Sequence, residues 1–204
     1  MRYVRKLYDW VLSWAESKYG ELALFLLAFC ETIFFPVPPD VLLIALALGS
    51  PVKSFRFALT CTIGSICGAI IGYGIGHYMW LNDAGGFTSF ANFFFNNIPG
   101  FTYDLYYSIQ SLYKEWDFWI VFVAGFTPIP YKVFTITSGV FDMNVLMFII
   151  ASSVSRGARF FLVSFLIWKF GPGIKTFIDR YFNLVALGFT VLLIGGFVII
   201  KYLI

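Results

Sequence analysis

The chain has 204 residues, of which 60% are hydrophobic and 12% are charged, and its formal net charge is +3. A soluble domain is about 45–50% apolar and about 25% charged, so this composition excludes a protein whose main solvent is water. The small, scattered positive charge also argues against a nucleic-acid-binding protein. We therefore expect an all-α integral membrane protein.

The first predicted element is an amphipathic helix at 1–20 that lies in the headgroup plane. Apolar residues at helical spacing alternate there with charged residues such as Asp9 and Glu16. This pattern suits an interfacial helix and equally suits an ordinary packed amphipathic helix. The basic start is followed by a stretch too polar for a signal peptide, so we expect a retained, cytoplasmic N-terminus.

A hydrophobic region at 22–48 is interrupted in its middle by Glu31-Thr-Ile-Phe-Phe-Pro-Val-Pro-Pro-Asp40. The prolines remove backbone donors and clash with the preceding turn, so they should break the helix. Each arm is shorter than the roughly 20 residues that cross a bilayer. We predict a re-entrant helical hairpin with its tip at Pro36 and Pro38. The alternatives are a solvent-side turn between two interfacial helices and a kink in one tilted helix.

A crossing helix is predicted next, at 57–81. Four glycines recur along it at every fourth residue: Gly64, Gly68, Gly72 and Gly76. Such a ridge of small residues lets another helix approach closely, so we expect it to serve helix packing. His77 at its end is either an ordinary hydrogen-bonded histidine or a pH sensor.

The segment 82–117 is predicted to lie at the outer membrane surface. It holds four acidic residues against one basic residue, Lys114, whereas cytoplasmic loops carry an excess of Lys and Arg. Its many aromatic residues are typical of a membrane interface and need no binding role.

A second broken region begins at residue 118. The segment Thr127-Pro-Ile-Pro-Tyr-Lys132 interrupts its hydrophobic run and predicts a second re-entrant hairpin, with its tip at Pro128 and Pro130. Two further crossing helices are predicted at 145–170 and 184–204.

The two broken regions align with an offset of 92 residues, which places Asp40 on Lys132 and superposes the prolines of the two tips. Each unit of hairpin plus crossing helix occurs twice, with one crossing helix per unit, so the two copies should be inverted in the membrane. The result is a single membrane domain, 1–204. It begins with the interfacial helix at 1–20, and the two repeats at 22–81 and 118–170 are joined by the outer segment at 82–117. An additional helix follows at 184–204. The final helix leaves the C-terminus outside.

Charged residues within the apolar segments are the candidate site residues: Glu31, Asp40, Lys132, Arg156 and Arg159. Each costs about 2.5–3.5 kcal/mol on insertion scales, so such residues are candidates for function by default. We hypothesise that the three basic residues hold an anionic headgroup, aided by half-helix N-termini, while Glu31 or Asp40 takes up a proton. The alternative is structural pairing of an acid with an arginine.

Three segments of the chain resemble the DedA family, also called the VTT or SNARE-associated membrane family, and look closest to its YqaA-like branch. The similarity covers roughly residues 20–170. It rests on the Glu31 to Asp40 segment, on Gly125-Phe-Thr-Pro-Ile-Pro-Tyr-Lys132 followed by Ser138-Gly139, and on the glycine-ridged helix between them.

This resemblance implies paired re-entrant hairpins in the bacterial inner membrane and a role in moving lipids, such as undecaprenyl phosphate or phospholipids, between leaflets. It also implies an essential acid near the first hairpin, which matches Glu31 and, less closely, Asp40. Family members often carry an arginine pair around the second hairpin. Gly125 and Tyr131 stand at those two places here, so Arg156 and Arg159 are our own candidates for the missing charge.

We expect a lipid-phosphate translocase with membrane lipids as partners, protons or sodium as coupling ion, and a possible homo-oligomeric state. The competing classes are a proton- or sodium-coupled exporter of small ions or drugs and a non-transporting assembly factor. An intramembrane hydrolase is the least favoured class, because the sequence has no Ser-His or metal-binding constellation and its three cysteines are isolated. We expect no cofactor, no metal and no enzymatic activity.

Overall fold

The structure is a computed structural model that describes residues 10, 14, 17–82, 86–98, 102–127 and 129–171. Most of the predicted interfacial helix at 1–20, Pro128 and the whole predicted final helix at 184–204 lie outside these residues. The described part contains seven α-helices: α1 Gly20–Ile33, α2 Asp40–Gly49, α3 Ser54–Trp80, α4 Ser89–Asn97, α5 Tyr103–Phe126, α6 Tyr131–Val140 and α7 Val145–Phe170. The predicted all-α class is therefore confirmed.

Two of the described helices are long and apolar enough to cross a membrane. They are α3 with its preceding turn, Pro51–Trp80, and α7, of 30 and 26 residues. At about 1.5 Å per residue both exceed the roughly 30 Å hydrocarbon layer. Both carry exposed aliphatic and aromatic side chains along one face, among them Ile63, Ile71 and Leu162. Length and composition thus agree with the two crossing helices predicted at 57–81 and 145–170.

The proline clusters interrupt the chain between short helices, as the sequence predicts. Loop 1, at 34–39, contains Pro36 and Pro38 and separates α1 from α2, which have 14 and 10 residues. Loop 2, at 127–130, contains Pro130 and separates α5 from α6. Neither α1, α2 nor α6 reaches the length that a crossing helix needs.

The outer segment and the second broken region share one long helix, which the sequence analysis did not anticipate. Helix α5 begins at Tyr103 and continues to Phe126, with non-helical backbone angles at Trp116 (φ −119°, ψ 18°). This kink lies beside the boundary predicted at residue 117. The aromatic outer part and the apolar arm are thus two sections of one kinked helix.

The glycine ridge of α3 is its contact surface for α1 and α6. A β-carbon at Gly64 or Gly68 would collide with the main chain of α1, and one at Gly76 would collide with the Ile136 carbonyl of α6. At Gly72 the obstacle would be the Thr135 side chain of α6. The predicted packing role of this ridge is confirmed.

Replacing Gly76 with alanine is expected to destabilise the protein by about 1–3 kcal/mol, because the new methyl group meets backbone that cannot rotate away. Gly74 is the matched control in the same helix turn, since a β-carbon there meets nothing within 4 Å. Gly74→Ala should be neutral or stabilise by up to about 1 kcal/mol. Thermal unfolding in detergent measures both variants, and equal midpoints would contradict this account of the ridge.

Tyrosine hydroxyls fix the turn between α6 and α7. Tyr73 of α3 donates a 2.6 Å hydrogen bond to the Met143 carbonyl, and Tyr106 of α5 donates a 2.7 Å bond to the Val140 carbonyl. Burial raises the pKa of Tyr106 to about 12, so its hydroxyl stays protonated and remains a donor at physiological pH. The turn that precedes α7 is thereby anchored to α3 and α5.

Candidate functional site

The candidate site lies where loops 1 and 2 meet the middle of α7. Arg156 and Arg159 project from α7 three residues apart, which places them on one helix face. Their exposed fractions are only 3% and 6%. A buried guanidinium must be paired and hydrogen-bonded to be tolerated, so its partners define the site.

Arg156 pairs with Glu31 and with a chain of hydroxyl groups. Its Nη2 donates to Glu31 Oε2 at 2.8 Å, and its Nε donates to Ser65 Oγ at 2.8 Å. Ser65 Oγ lies 3.1 Å from Thr32 Oγ1, which lies 2.8 Å from the Ala28 carbonyl. Because a carbonyl only accepts, Thr32 donates to Ala28, Ser65 donates to Thr32, and Arg156 donates to Ser65. We call the Ser65 and Thr32 side chains the hydroxyl chain of Arg156.

Two aromatic rings flank the Arg156 guanidinium. Its central carbon lies 5.1 Å from the ring centroid of Tyr131 and 4.7 Å from that of Phe160. Contacts of this kind contribute about 0.5–2 kcal/mol, more where water is excluded. Tyr131 is itself held by a 2.5 Å hydrogen bond to Ser152 Oγ. The guanidinium is thus positioned by groups other than its carboxylate.

Arg159 makes a two-pronged ion pair with Asp40. Nε lies 3.1 Å from Oδ1 and Nη2 lies 3.0 Å from Oδ2. Its Nη1 donates to the Thr127 carbonyl at 2.9 Å, at the C-terminal end of α5. Such bidentate pairs combine strength with fixed geometry. Arg159 therefore connects the first residue of α2 to the first residue of loop 2.

Lys132 contacts loop 1, and no carboxylate among the described residues pairs with it. Its Nζ lies 3.5 Å from the Phe35 carbonyl oxygen, and in the neighbouring turn Thr135 Oγ1 lies 3.3 Å from the Thr32 carbonyl. The first turns of α6 are therefore in direct contact with loop 1 and the end of α1. Asp40, which aligns with Lys132 in sequence, takes Arg159 as its partner.

The structure thus brings four of the five predicted charged residues together as two ion pairs, Glu31 with Arg156 and Asp40 with Arg159. Lys132 lies where α6 contacts loop 1. We call the two pairs the paired-charge site. The predicted tip residues Pro36, Pro38 and Pro130 lie in the loops beside it, and Pro128 lies outside the described residues.

Ser65, Thr32 and Tyr131 also belong to the site, although the sequence analysis did not select them. A hydroxyl inside an apolar run is a weak signal, because serine and threonine satisfy themselves on the preceding turn of many helices. Thr127 carries a stronger signal of a site residue, because it directly precedes a proline and directly follows the last residue of a helix. Its Oγ1 is buried and has no hydrogen-bond partner among the described residues.

His77 lies away from the paired-charge site, at the far end of α3. Its Nδ1 is 3.3 Å from Asp142 Oδ1 in the α6–α7 turn. Across the described residues, no three His, Cys, Asp or Glu side chains come close enough to hold a metal ion.

An apolar groove of about 560 Å³ follows the outer face of α1. Side chains of α1 and loop 1 line it together with Trp10 and Trp14. Its volume falls within the range of small-molecule sites in proteins. Cys30 is one of its lining residues, and in the sequence it directly precedes Glu31 of the paired-charge site.

Two uncharacterized bacterial proteins are similar to this chain. One, from Haemophilus influenzae, is 33% identical over 204 residues, which cover 98% of this chain and 100% of that protein. The other, from Histophilus somni, is 36% identical over 167 residues, which cover 81% of this chain and 82% of that protein. No family model matches the sequence, and no solved structure matches it.

Proposed function

Because this chain belongs to the same family as the uncharacterized Haemophilus influenzae protein, whose name gives no activity, we propose a function from the site itself. The protein is a multi-pass transporter of the bacterial inner membrane that moves a lipid phosphate between leaflets. Its substrate is undecaprenyl phosphate or a phospholipid, and movement is coupled to protons or sodium. It performs transport and no covalent chemistry.

The observation that carries this proposal is the pair of buried arginines in the middle of a membrane-length helix. Arg156 and Arg159 lie where two broken helices meet, and each has a carboxylate within 3.0 Å. Replacing a buried ion pair by apolar residues is often neutral or stabilising, so two such pairs are a costly way to build a core alone. Intramembrane charges that face each other commonly mark a transport pathway.

We propose that the described helices form two inverted repeats of re-entrant hairpin plus crossing helix. In support, α1 packs on α3 as α5 packs on α7, and α3 contacts α6 as α7 contacts α2. Exchanging the two units therefore exchanges these four contacts in pairs. Broken helices at corresponding positions of two inverted units are typical of secondary transporters, whose sites lie at the interface of the units.

A lipid substrate is favoured over a small ion by the groove along α1. The groove is almost wholly apolar and is lined by side chains of α1, the helix that also carries Glu31, the partner of Arg156. We place the anionic head at Arg156 and a hydrocarbon tail along α1.

A second candidate, a proton- or sodium-coupled exporter of small ions or drugs, is favoured by one observation. Both arginines are already neutralised by carboxylates, so the site needs no anionic substrate to balance its charge. This class needs no open lateral path for a lipid tail.

Reconstitution into liposomes tests the proposal. Proteoliposomes that contain dye-labelled undecaprenyl phosphate or phospholipid should expose inner-leaflet headgroups to a membrane-impermeant quencher faster than protein-free liposomes, and a pH gradient should change the rate. Rates equal to those of protein-free liposomes for both lipids would overturn lipid translocation. A change in the fluorescence of a pH-sensitive dye, which reports proton movement, without lipid movement would favour the exporter.

A further inference from the structure

We propose that the two buried ion pairs do different work: Glu31 occupies the anion site of Arg156 and leaves it on protonation, whereas Asp40 and Arg159 stay paired. This inference rests on the proposed function, because it names how the same site is regulated. The anion admitted in place of Glu31 is a phosphate, either free or as the monoester headgroup of a lipid. Four differences between the pairs support it.

The first difference is the number of bonds that each carboxylate supplies. Asp40 holds Arg159 through two hydrogen bonds in a fork, at 3.1 and 3.0 Å, while Glu31 holds Arg156 through one at 2.8 Å. A bidentate pair loses two charge-assisted bonds when it opens, and a single contact loses one. The Glu31 pair is the easier one to break.

The second difference is what remains when the carboxylate leaves. Arg156 keeps its 2.8 Å bond to Ser65 and its place between the rings of Tyr131 and Phe160. Its guanidinium thus stays oriented, with the Nη2 edge facing the vacated position. A preformed donor edge is what a phosphate oxygen requires, because guanidinium geometry matches phosphate.

The third difference is structural connectivity. Arg159 also donates to the Thr127 carbonyl at 2.9 Å, so its release would disconnect α2 from loop 2. Glu31 and Arg156 open without that loss, because Ser65 and Thr32 continue to connect α7 to α3 and α1. The Asp40 pair therefore behaves as a strut between the two broken regions.

The fourth difference is the position of each carboxylate on its helix. Glu31 lies in the last turn of α1, Gly20–Ile33, whereas Asp40 is the first residue of α2, Asp40–Gly49. The negative end of a helix dipole disfavours a carboxylate and the positive end favours one, each by about 0.3–1 kcal/mol. Glu31 is thus the acid whose charged form its own helix opposes.

Protonation of Glu31 would leave an excess of positive charge among the groups around it. The charged and titratable side chains of the elements packed around its end of α1 are Asp40, Cys61, Tyr131, Lys132, Arg156 and Arg159. When a proton from the medium binds Glu31 Oε2, the ion pair with Arg156 opens and the site gains one positive charge. An anion then restores the balance, with Lys132 as a further cation nearby.

Anion binding to the purified full-length protein in detergent tests this inference by calorimetry at pH 5.5 and pH 8. The probes are inorganic phosphate and dihexanoylphosphatidic acid, which separate a free phosphate from a lipid headgroup. For the wild type, we expect weaker binding at pH 8 by on the order of tenfold, a common strength of coupling between sites. Glu31→Gln should bind tightly at both pH values, and at pH 8 more tightly than the wild type.

The phosphate itself provides an internal control, because it gains negative charge as pH rises and so drives affinity in the opposite direction. Glu21→Gln, the matched amide variant of the exposed ion pair with Arg56, should leave the wild-type pH trend of binding, whereas Asp40→Asn should lower the unfolding midpoint. The inference is overturned if Glu31→Gln keeps the wild-type trend, if Asp40→Asn tightens binding as Glu31→Gln does, or if neither probe binds at either pH.

The outcome is separable from that of the transport assay. Phosphate binding that strengthens at low pH and depends on Glu31, without any lipid movement, would overturn translocation and keep the exchange. Lipid movement without pH-dependent binding would overturn only the exchange. Binding of phosphatidic acid but not of inorganic phosphate would assign the site to a lipid headgroup, and the reverse would assign it to free phosphate.

Discussion

Replacing Arg159 with alanine is expected to lower the free energy of unfolding by about 3–5 kcal/mol, the typical cost of breaking a buried ion pair from one side. The change strands Asp40, which is 9% exposed, and removes the donor to the Thr127 carbonyl. Both broken regions lose their common anchor. The measurement is the unfolding midpoint in detergent, together with the yield of folded protein.

Two variants make this result specific. The Arg56 side chain forms an ion pair of the same type, at 2.8 Å from Glu21, but is 68% exposed, so Arg56→Ala should cost less than about 1 kcal/mol. Joint replacement of Asp40 by leucine and Arg159 by methionine should recover much of the stability lost in the single variant, since no charge is left unpaired. Equal losses for Arg56→Ala and Arg159→Ala would contradict the strut.

Replacing Arg156 with alanine is expected to reduce lipid movement to the rate of protein-free liposomes. The guanidinium is the one cation that the hydroxyl chain and two rings hold in place independently of its carboxylate. A transport site that lacks it cannot offer a phosphate the oriented donors that lower its cost inside the bilayer. The measurement is the same quencher assay, at equal protein density.

Ser153→Ala is the matched control on α7, because its hydroxyl bonds only the Ile149 carbonyl of its own helix in the described contacts. That variant should retain the wild-type rate. Arg156→Lys should recover part of the rate, since lysine restores charge without the forked donors. If Arg156→Ala moved lipid at the wild-type rate, the paired-charge site would have a structural role only and the proposed transport role would be wrong.

The positions of the site were predictable from the sequence, but the pairings were not. Proline clusters and charges inside apolar runs are local signals, and they identified the two breaks and all five charged candidates. The partner of Asp40 is set by how α2 packs against α7 across 119 residues. Alignment of the repeats places Asp40 and Lys132 at equivalent positions. In the folded protein, however, Asp40 pairs with Arg159 and Lys132 contacts the Phe35 carbonyl.

Helix packing shows the same division between local and global information. The fourfold spacing of glycines in α3 predicted a close contact, and that contact exists. The sequence did not indicate that Gly64 and Gly68 face α1 while Gly76 faces α6. Nor did it place the kink of α5 at Trp116, because neither proline nor glycine marks that residue.

The contact of α6 with loop 1 and α1 has a consequence for the entry of water. The carbonyl oxygens of Thr32 and Phe35 currently face Thr135 and Lys132. If the two regions separate, these oxygens need solvent, because an unsatisfied polar group in hydrocarbon costs several kcal/mol. Separation and hydration are then one event, and the incoming water raises the local dielectric and weakens the attraction between Glu31 and Arg156. A wet conformation is thus also the one that most readily exchanges its anion.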